Sequence, residues 1–549
     1  MDRLPNELLR LIMSQLDRKS IHTLCRVTKW LNPVAISLLY ESVVLNIDDF
    51  AITNDPDSEL KSISLPSLPS LQHTRHLSLR ATVDRVICYR CPFDNDFVLE
   101  EAGMLKLDYS FYFRTPSDIP PHANNLIRSV INAIPENQLR SFSWDMEGRY
   151  REEQDLVRLT LERQTRTSEV YLSTGHEFLK SSPQPFSINL VSSKEVRSLT
   201  WRGLSSYNTF GDIRNFIHAH GKKLTTLGLH FTINNGYNPG IYEARPTVDW
   251  EKLVTDILDI QSTGTDRNVL SNLEHLALSL VWLKGATREF ITSLNIERLR
   301  SLELRCCPGG FSILDELIRI NRAASELGSP PNPATSLPRL KKLTIVLHRS
   351  DYDPGIKRYH DKLRMFLLLF KGLESVRLGL LNLLEWNIVA LGLLNHRETL
   401  KYVVIGSEGK FESCYIPWSE EIGRLCQIPS LIGLAIGMQP WVFAGNWQQR
   451  NSRPSCKMLH IRVSGRSSNL WKPPAWLHFP AVWETSDPFI AFADWVFGVD
   501  GIPALSVLAC GDFSFPSYFD KRERRVFQRH DGGYRDVTDS IGARGQSMN

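Results

Sequence analysis

A six-residue pattern, apolar at its first, fourth and sixth positions, recurs along this chain and limits its fold more than any other feature. It reads LRSFSW (139–144), VRSLTW (196–201), LTTLGL (224–229), LEHLAL (273–278) and LRSLEL (299–304). It continues as LKKLTI (340–345), LESVRL (373–378), LKYVVI (400–405) and LIGLAI (431–436). Weaker copies are TRHLSL (74–79), SEVYL (168–172), CKMLHI (456–461) and IPALSV (502–507). Each hexamer alternates apolar with variable residues, as a strand does when one face is buried. Between hexamers lie segments with helical spacing, such as YNTFGDIRNFIHAH (207–220), VDWEKLVTDILDI (248–260), SILDELIRINRAASEL (312–327) and YHDKLRMFLLLF (359–370). A chain that repeats strand, turn, helix and strand must run its strands in parallel and coil with a right-handed sense. The expected class is α/β: a solenoid whose parallel sheet lines the concave curve.

Most hexamers start 25 to 33 residues apart. That period with that motif resembles leucine-rich repeats. The Asn or Cys that usually follows the hexamer is mostly absent, and only Cys306-Cys307 comes near it. The repeats are expected over 71–515, with insertions near 81–135 and 325–338 leaving as loops. Residues 46–70 read as a linker strapped across the first repeats. The tail 516–549, rich in Arg, Asp and Gly, is expected to be partly disordered. The greasiest stretch, LGLLNLLEWNIVALGLL (378–394), holds Asn382, Glu385 and Asn387. A bilayer core penalises those groups, so it reads as a buried helix.

Residues 1–45 keep a different rhythm. In LPNELLRLIMSQL (4–16), Pro5 suits the first position of a helix. Leu8, Leu11, Ile12 and Leu16 form a stripe at helical spacing, while Leu4, Leu9 and Met13 lie on other faces. A second helix is expected at 17–30, capped by Asp17 and carrying Ile21, Leu24, Cys25 and Val27. A third begins at Asn32-Pro33, a capping residue followed by proline, and runs to Tyr40. Three helices this short present more apolar surface than they can bury among themselves. The surplus must be covered by the rest of the chain or by another protein.

This run resembles an F-box. The matching features are Leu4-Pro5, Glu7-Leu8-Leu9, Ile12, Leu16, Ile21, Leu24, Val27 and the ending Ala35 through Tyr40 with Ser42-Val43. It departs at Thr28-Lys29-Trp30, where Trp30 stands at a position that is often basic. The ending LLYESV is most similar to the fungal form. The resemblance implies docking on the Skp-type adaptor of a cullin–RING (SCF-type) ubiquitin ligase through Leu4, Pro5, Leu8, Ile12, Leu16, Ile21, Leu24, Val27 and Trp30. The repeats would then receive a protein substrate, without catalysis and without a cofactor. A scaffold that uses the adaptor outside any ligase is the alternative.

Signatures of chemistry are missing. The chain has no P-loop, no Gly-x-Ser-x-Gly elbow, no His-Glu-x-x-His and no dinucleotide-binding glycine set. Cys88 and Cys91 form a lone Cys-x-x-Cys, which His73 or His76 would have to complete for zinc. Nine scattered cysteines, and no Asn-x-Ser/Thr sequon outside an Asn-Pro context, fit an intracellular protein of cytoplasm or nucleus. Lys plus Arg number 64 against 60 Asp plus Glu, a balance that does not point to nucleic acid.

One asymmetry remains. The positions that a strand face would turn away from the core hold His76, Arg80, Arg202, His230, His275, Arg305, Lys342, Arg377, His460 and Arg462, against Asp145 and Glu303 alone. This reads either as a solvated face whose sign is accidental or as a basic lane for an acidic or phosphorylated substrate segment. In the second case Arg80, Arg202, His230, Arg305, Lys342, Arg377 and Arg462 are the candidate contacts.

Overall fold

The structure, a computed structural model, describes residues 4–46, 68–80, 98–99, 105–106, 121–146, 151–174, 188–204, 207–231, 256–257, 269–281, 283, 287–305, 307, 309–326, 338–347, 359–380, 385–407, 416, 418–447, 456–462, 488–511, 525–531 and 533–538. It divides into two compact units, one from 1–88 and 110–245, the other from 89–109 and 246–549.

The first unit opens with three helices: α1 (Asn6–Met13), α2 (Arg18–Val27) and α3 (Asn32–Leu39). Pro5 lies just outside α1 rather than at its first position, and its carbonyl accepts from the N–H groups of Leu8 and Leu9, both at 3.1 Å. Asp17 caps α2 as expected, accepting from Ser20 N at 2.7 Å. Asn32 does not cap α3. Its side-chain amide donates instead to Cys25 O at 2.8 Å and ties α3 to α2. Met13, Ile21 and Ala35 form the small core, with Leu24, Cys25, Leu31, Val34, Leu38 and Leu39 packed against it.

Strands β1 (Ser42–Asn46) and β2 (His76–Arg80) follow. Two short strands of the second unit, β3 (Val98–Leu99) and β4 (Leu105–Lys106), pair with each other antiparallel. The first unit continues with β5 (Ser141–Met146), β6 (Glu169–Thr174), β7 (Ser198–Leu204) and β8 (Thr226–Phe231). Its six strands pair in parallel in that order. One face carries the buried anchors Leu77 and Leu79, Phe142 and Trp144, Val170 and Leu172, Leu199 and Trp201. Between β7 and β8 the register shifts at Arg202/Leu204. Gly203, with φ 83°, makes that shift, and a Cβ there would lie 1.6 Å from Thr174 O.

The second unit repeats the arrangement with β9 (His275–Ser279), β10 (Ser301–Arg305), β11 (Lys342–Val346), β12 (Ser375–Leu380), β13 (Tyr402–Ser407), β14 (Gly433–Ile436), β15 (Met458–Ile461) and β16 (Val507–Cys510), all parallel. Then β17 (Arg525–His530) and β18 (Gly533–Asp536) run antiparallel. Arg529 fastens this hairpin to the last parallel strand's loop, donating to Leu505 O at 2.7 Å and Ile502 O at 3.1 Å. Within the expected tail 516–549, residues 525–530 and 533–536 pair as this hairpin, and Val526 and Phe527 fill a buried face.

Each rung has the same entry. The carbonyl of the residue just before the strand accepts two N–H groups from the next rung: Arg75 O takes Arg140 N at 2.8 Å and Ser141 N at 3.1 Å. Glu41, Arg140, Ser168 and Arg197 do the same in the first unit, and Glu274, Arg300, Lys341, Glu374, Lys401, Ile432 and Lys457 in the second. The loops behind the strands need partners too, and the missing Asn is replaced by polar residues at helix ends. Gln164 accepts from Gln138 N and Leu139 N at 2.9 and 3.0 Å and donates to Pro135 O at 2.8 Å. His396 accepts from Leu373 N at 3.3 Å through Nδ1, so its Nε2 donates to Leu367 O at 3.0 Å. Burial holds His396 neutral, with a pKa pushed down to about 4.

Several expectations change. Most of the expected linker 46–70 lies outside the described residues, which resume at 68; the strands on either side of it, β1 and β2, pair in register Ser42↔His76. The end of the presumed loop 81–135 is the helix Pro121–Ala133, which buries Ile127, Val130 and Ile131. The stretch 378–394 is not one helix: it begins as the end of β12 and becomes a helix only at Trp386–Leu394. The last repeat is LSVLAC (505–510) rather than IPALSV, because Met458 pairs with Val507.

Candidate docking site

Helix α1 is apolar on two opposed faces. Leu9 and Met13, four residues apart, are buried. Leu8, Leu11 and Ile12 turn to solvent with 47%, 63% and 55% of their surface exposed. Leu4, Leu16, Val27 and Trp30 are exposed as well, and so is Pro5. Leu8, Leu11 and Ile12 are neighbours on one helix face, and exposed apolar residues grouped in this way mark a binding site. The nine expected contacts therefore divide. Leu4, Pro5, Leu8, Ile12, Leu16, Val27 and Trp30 face solvent, whereas Ile21 is buried and Leu24 packs on the core. Leu11, on the stripe but absent from the expected contacts, is among the most exposed; its i, i+3 relation to Leu8 was the signal for it.

The patch is fixed to the first rung rather than tethered. Glu41, one residue past Tyr40, pairs with Arg10 of α1 at 2.9 Å. Its carbonyl accepts from Arg75 N at 2.8 Å and His76 N at 3.0 Å. Thr74, fully buried, donates its hydroxyl to Tyr40 O at 2.9 Å. The chain passes from α3 into β1 through these bonds.

The sheet face opposite the buried anchors carries the other candidates, and strand register decides which of them meet. In the first unit Arg80, Asp145, Ser173, Arg202 and His230 stand in one row across β2 to β8. Arg80 is exposed, and Arg202 sits over the Tyr171 ring at 5.6 Å. His230 is buried, so it does not belong to the open surface. In the second unit Lys342, Arg377 and Arg305 fall on three different rows. Arg305 pairs with Glu303 two residues before it. The Arg462 guanidinium reaches towards Gly406, where a Cβ would meet it at 3.6 Å. His275 is exposed, with burial lowering its pKa; burial and the Arg462 charge push His460 down to about 3, and its Nε2 hydrogen-bonds Gly511 O at 2.8 Å. Each unit thus carries its own set of candidates, with an acidic residue, Asp145 or Glu303, in each.

Among the described residues no cluster of three or more His, Cys, Asp or Glu could hold a metal ion, and no helix is long and apolar enough to cross a membrane. Cys88 and Cys91 lie outside the described residues.

The family model of the F-box domain matches residues 1–29, over α1 and α2 with the exposed patch. No curated protein matches the chain. F-box domains bind Skp-type adaptors within cullin–RING ligases. The N-terminal match therefore supports an F-box protein and points to an adaptor-binding role in an SCF ubiquitin ligase.

Proposed function

We propose that this chain is the substrate receptor of an SCF-type ubiquitin ligase, built as a fungal-type F-box followed by an irregular leucine-rich-repeat solenoid. The observation that carries the reading is the opposed apolar faces of α1, one spent on the module's own fold and one left for a partner. The receptor performs no bond chemistry. It raises the effective concentration of a bound protein beside the ubiquitin-charged enzyme. The open sheet face is the surface for the substrate, and Arg80, Arg202, Lys342 and Arg377 suit carboxylate or phosphate groups on it.

Co-expression with a Skp-type adaptor and a cullin tests this. Replacing Leu4-Pro5 by Ala-Ala should weaken adaptor capture by about 2 kcal/mol or more, since anchors and helix entry are lost together. Undiminished capture refutes the docking assignment. Capture of the adaptor without any cullin favours a scaffold outside the ligase. Charge reversal at Lys342 and Arg377 should weaken substrate capture and leave adaptor binding unchanged.

A further inference from the structure

The entry residues of the rungs form a row along the rim where the strands begin, and the row differs between the two units. In the second unit Glu374 stands between two cations and binds both, Lys341 and Lys401, each at 2.9 Å. In the first unit Arg75 and Arg140 occupy neighbouring strands, joined by the bond from Arg140 N to Arg75 O, and Arg197 follows two strands on with Ser168 between. Arg75 is half-buried, Arg140 and Arg197 are exposed, and among the described residues no carboxylate pairs with any of the three. Like charges on adjacent strands destabilise a sheet. Arg166, Lys194 and Lys223 stand exposed at the residues leading into the same rungs.

We propose that this rim of the first unit docks an acidic polypeptide segment, with glutamate, aspartate or phosphoserine side chains received by Arg75, Arg140 and Arg197. Strands lie about 5 Å apart, so the three guanidinium stems span about 15 Å, the length of some four or five extended residues. The chemistry favours a peptide over nucleic acid for two reasons. The residues flanking the three arginines include no Trp, Tyr or Phe on which bases could stack. Exposed Glu169 and Glu195 also share the rim. A continuous phosphate chain would run into both, whereas an extended peptide turns every second side chain away. The rim is separate from the open face, and its assignment does not depend on the ligase reading.

The experiment is titration of the full chain with a fluorescein-labelled polyglutamate peptide, its phosphoserine counterpart and a polyuridine oligonucleotide, with adaptor co-purification followed in parallel. The acidic peptides should bind, with affinity falling steeply as salt rises. Arg75→Glu, Arg140→Glu and Arg197→Glu together should weaken binding about tenfold or more, while Arg128→Glu with Arg424→Glu, exposed on the helices Pro121–Ala133 and Glu420–Cys426, leaves it unchanged. Should the triple variant fail to fold, Arg140→Glu alone, an exposed substitution, reads the same loss. Equal binding by wild type and either rim variant overturns the proposal, as does an equal loss on the reversal of Arg128 and Arg424. Tighter binding of the oligonucleotide that depends on the same arginines overturns it in favour of nucleic acid. Unchanged adaptor capture in every variant separates these outcomes from failure of the ligase assignment.

Discussion

Helices α1 and Trp386–Leu394 are both strongly apolar, yet they meet opposite fates. The second packs between the helices Tyr359–Leu368 and Glu420–Cys426, and it buries Trp386, Val389, Ala390, Gly392 and Leu393. Helix α1 has neighbours on one side only and leaves Leu8, Leu11 and Ile12 in water. Apolar content therefore does not distinguish a core helix from a docking helix. What distinguishes them is whether a neighbour of the same chain covers each face, and where none does a partner must.

The sharpest way to break this contrast is to place a charge in each helix. Leu393→Asp puts an unpaired carboxylate where no surface is exposed, and it should cost about 4 kcal/mol or more, seen as loss of the cooperative unfolding transition in urea. A mild shift would mean that the helix is covered less tightly than its burial implies.

The next effect reports on the loops behind such covered helices. His396 has a folded pKa near 4 against an ordinary value near 6.5, so the unfolded chain binds the extra proton between these limits. Its contribution is fully present above pH 6.5 and is lost as pH falls towards 4, up to about 3 kcal/mol. Denaturant midpoints at pH 7 and pH 4.5 measure it. His396→Leu should be less stable at pH 7 and show a shallower loss on acidification, with His460, His360, His275 and His220 among the groups that supply the remaining slope.

A smaller effect is expected at Glu374. Its side-chain contacts with Lys401 and then Lys341 hold the carboxyl below its ordinary range, but all three groups are partly solvated. Glu374→Gln should cost less than about 1 kcal/mol, and its cost should fade in high salt. The smallest effect on stability belongs to α1. Leu11→Ser should move the unfolding midpoint by less than about 0.5 kcal/mol while weakening adaptor capture measurably. If Leu11→Ser unfolds the protein instead, the face is covered from within the chain and the contrast collapses.

Much of this was legible in the sequence, and the parts that were not have physical causes. The hexamers revealed the strands because burial on one face imposes a period of two, and Leu8, Leu11 and Ile12 revealed a stripe because a helix imposes its own. Division of the nine expected contacts into surface and core was not legible, since Ile21 and Ile12 look alike until neighbours are placed. The last rung was misread by three residues because Ile502 and Leu505 are both buried and either could head a hexamer. The entry row could have been read: it is the second residue of each hexamer, as Arg in LRSFSW and VRSLTW and Lys in LKKLTI. What the sequence could not tell is that these residues become neighbours across tens of positions, because only the pairing of strands brings them together.

The hairpin β17–β18 has a consequence for how such a molecule can change length. A parallel array offers each end as a template for one more copy of the same unit. Here the last parallel strand is covered by a strand of opposite direction, and β18, which runs in the direction of β16 again, is four residues long with none of them buried, so it offers a newcomer no apolar face. Duplication of a rung at this end would find nothing to continue. Growth or shrinkage of the array is then confined to its interior, where a gained or lost unit shifts everything beyond it by one strand spacing and leaves both ends intact.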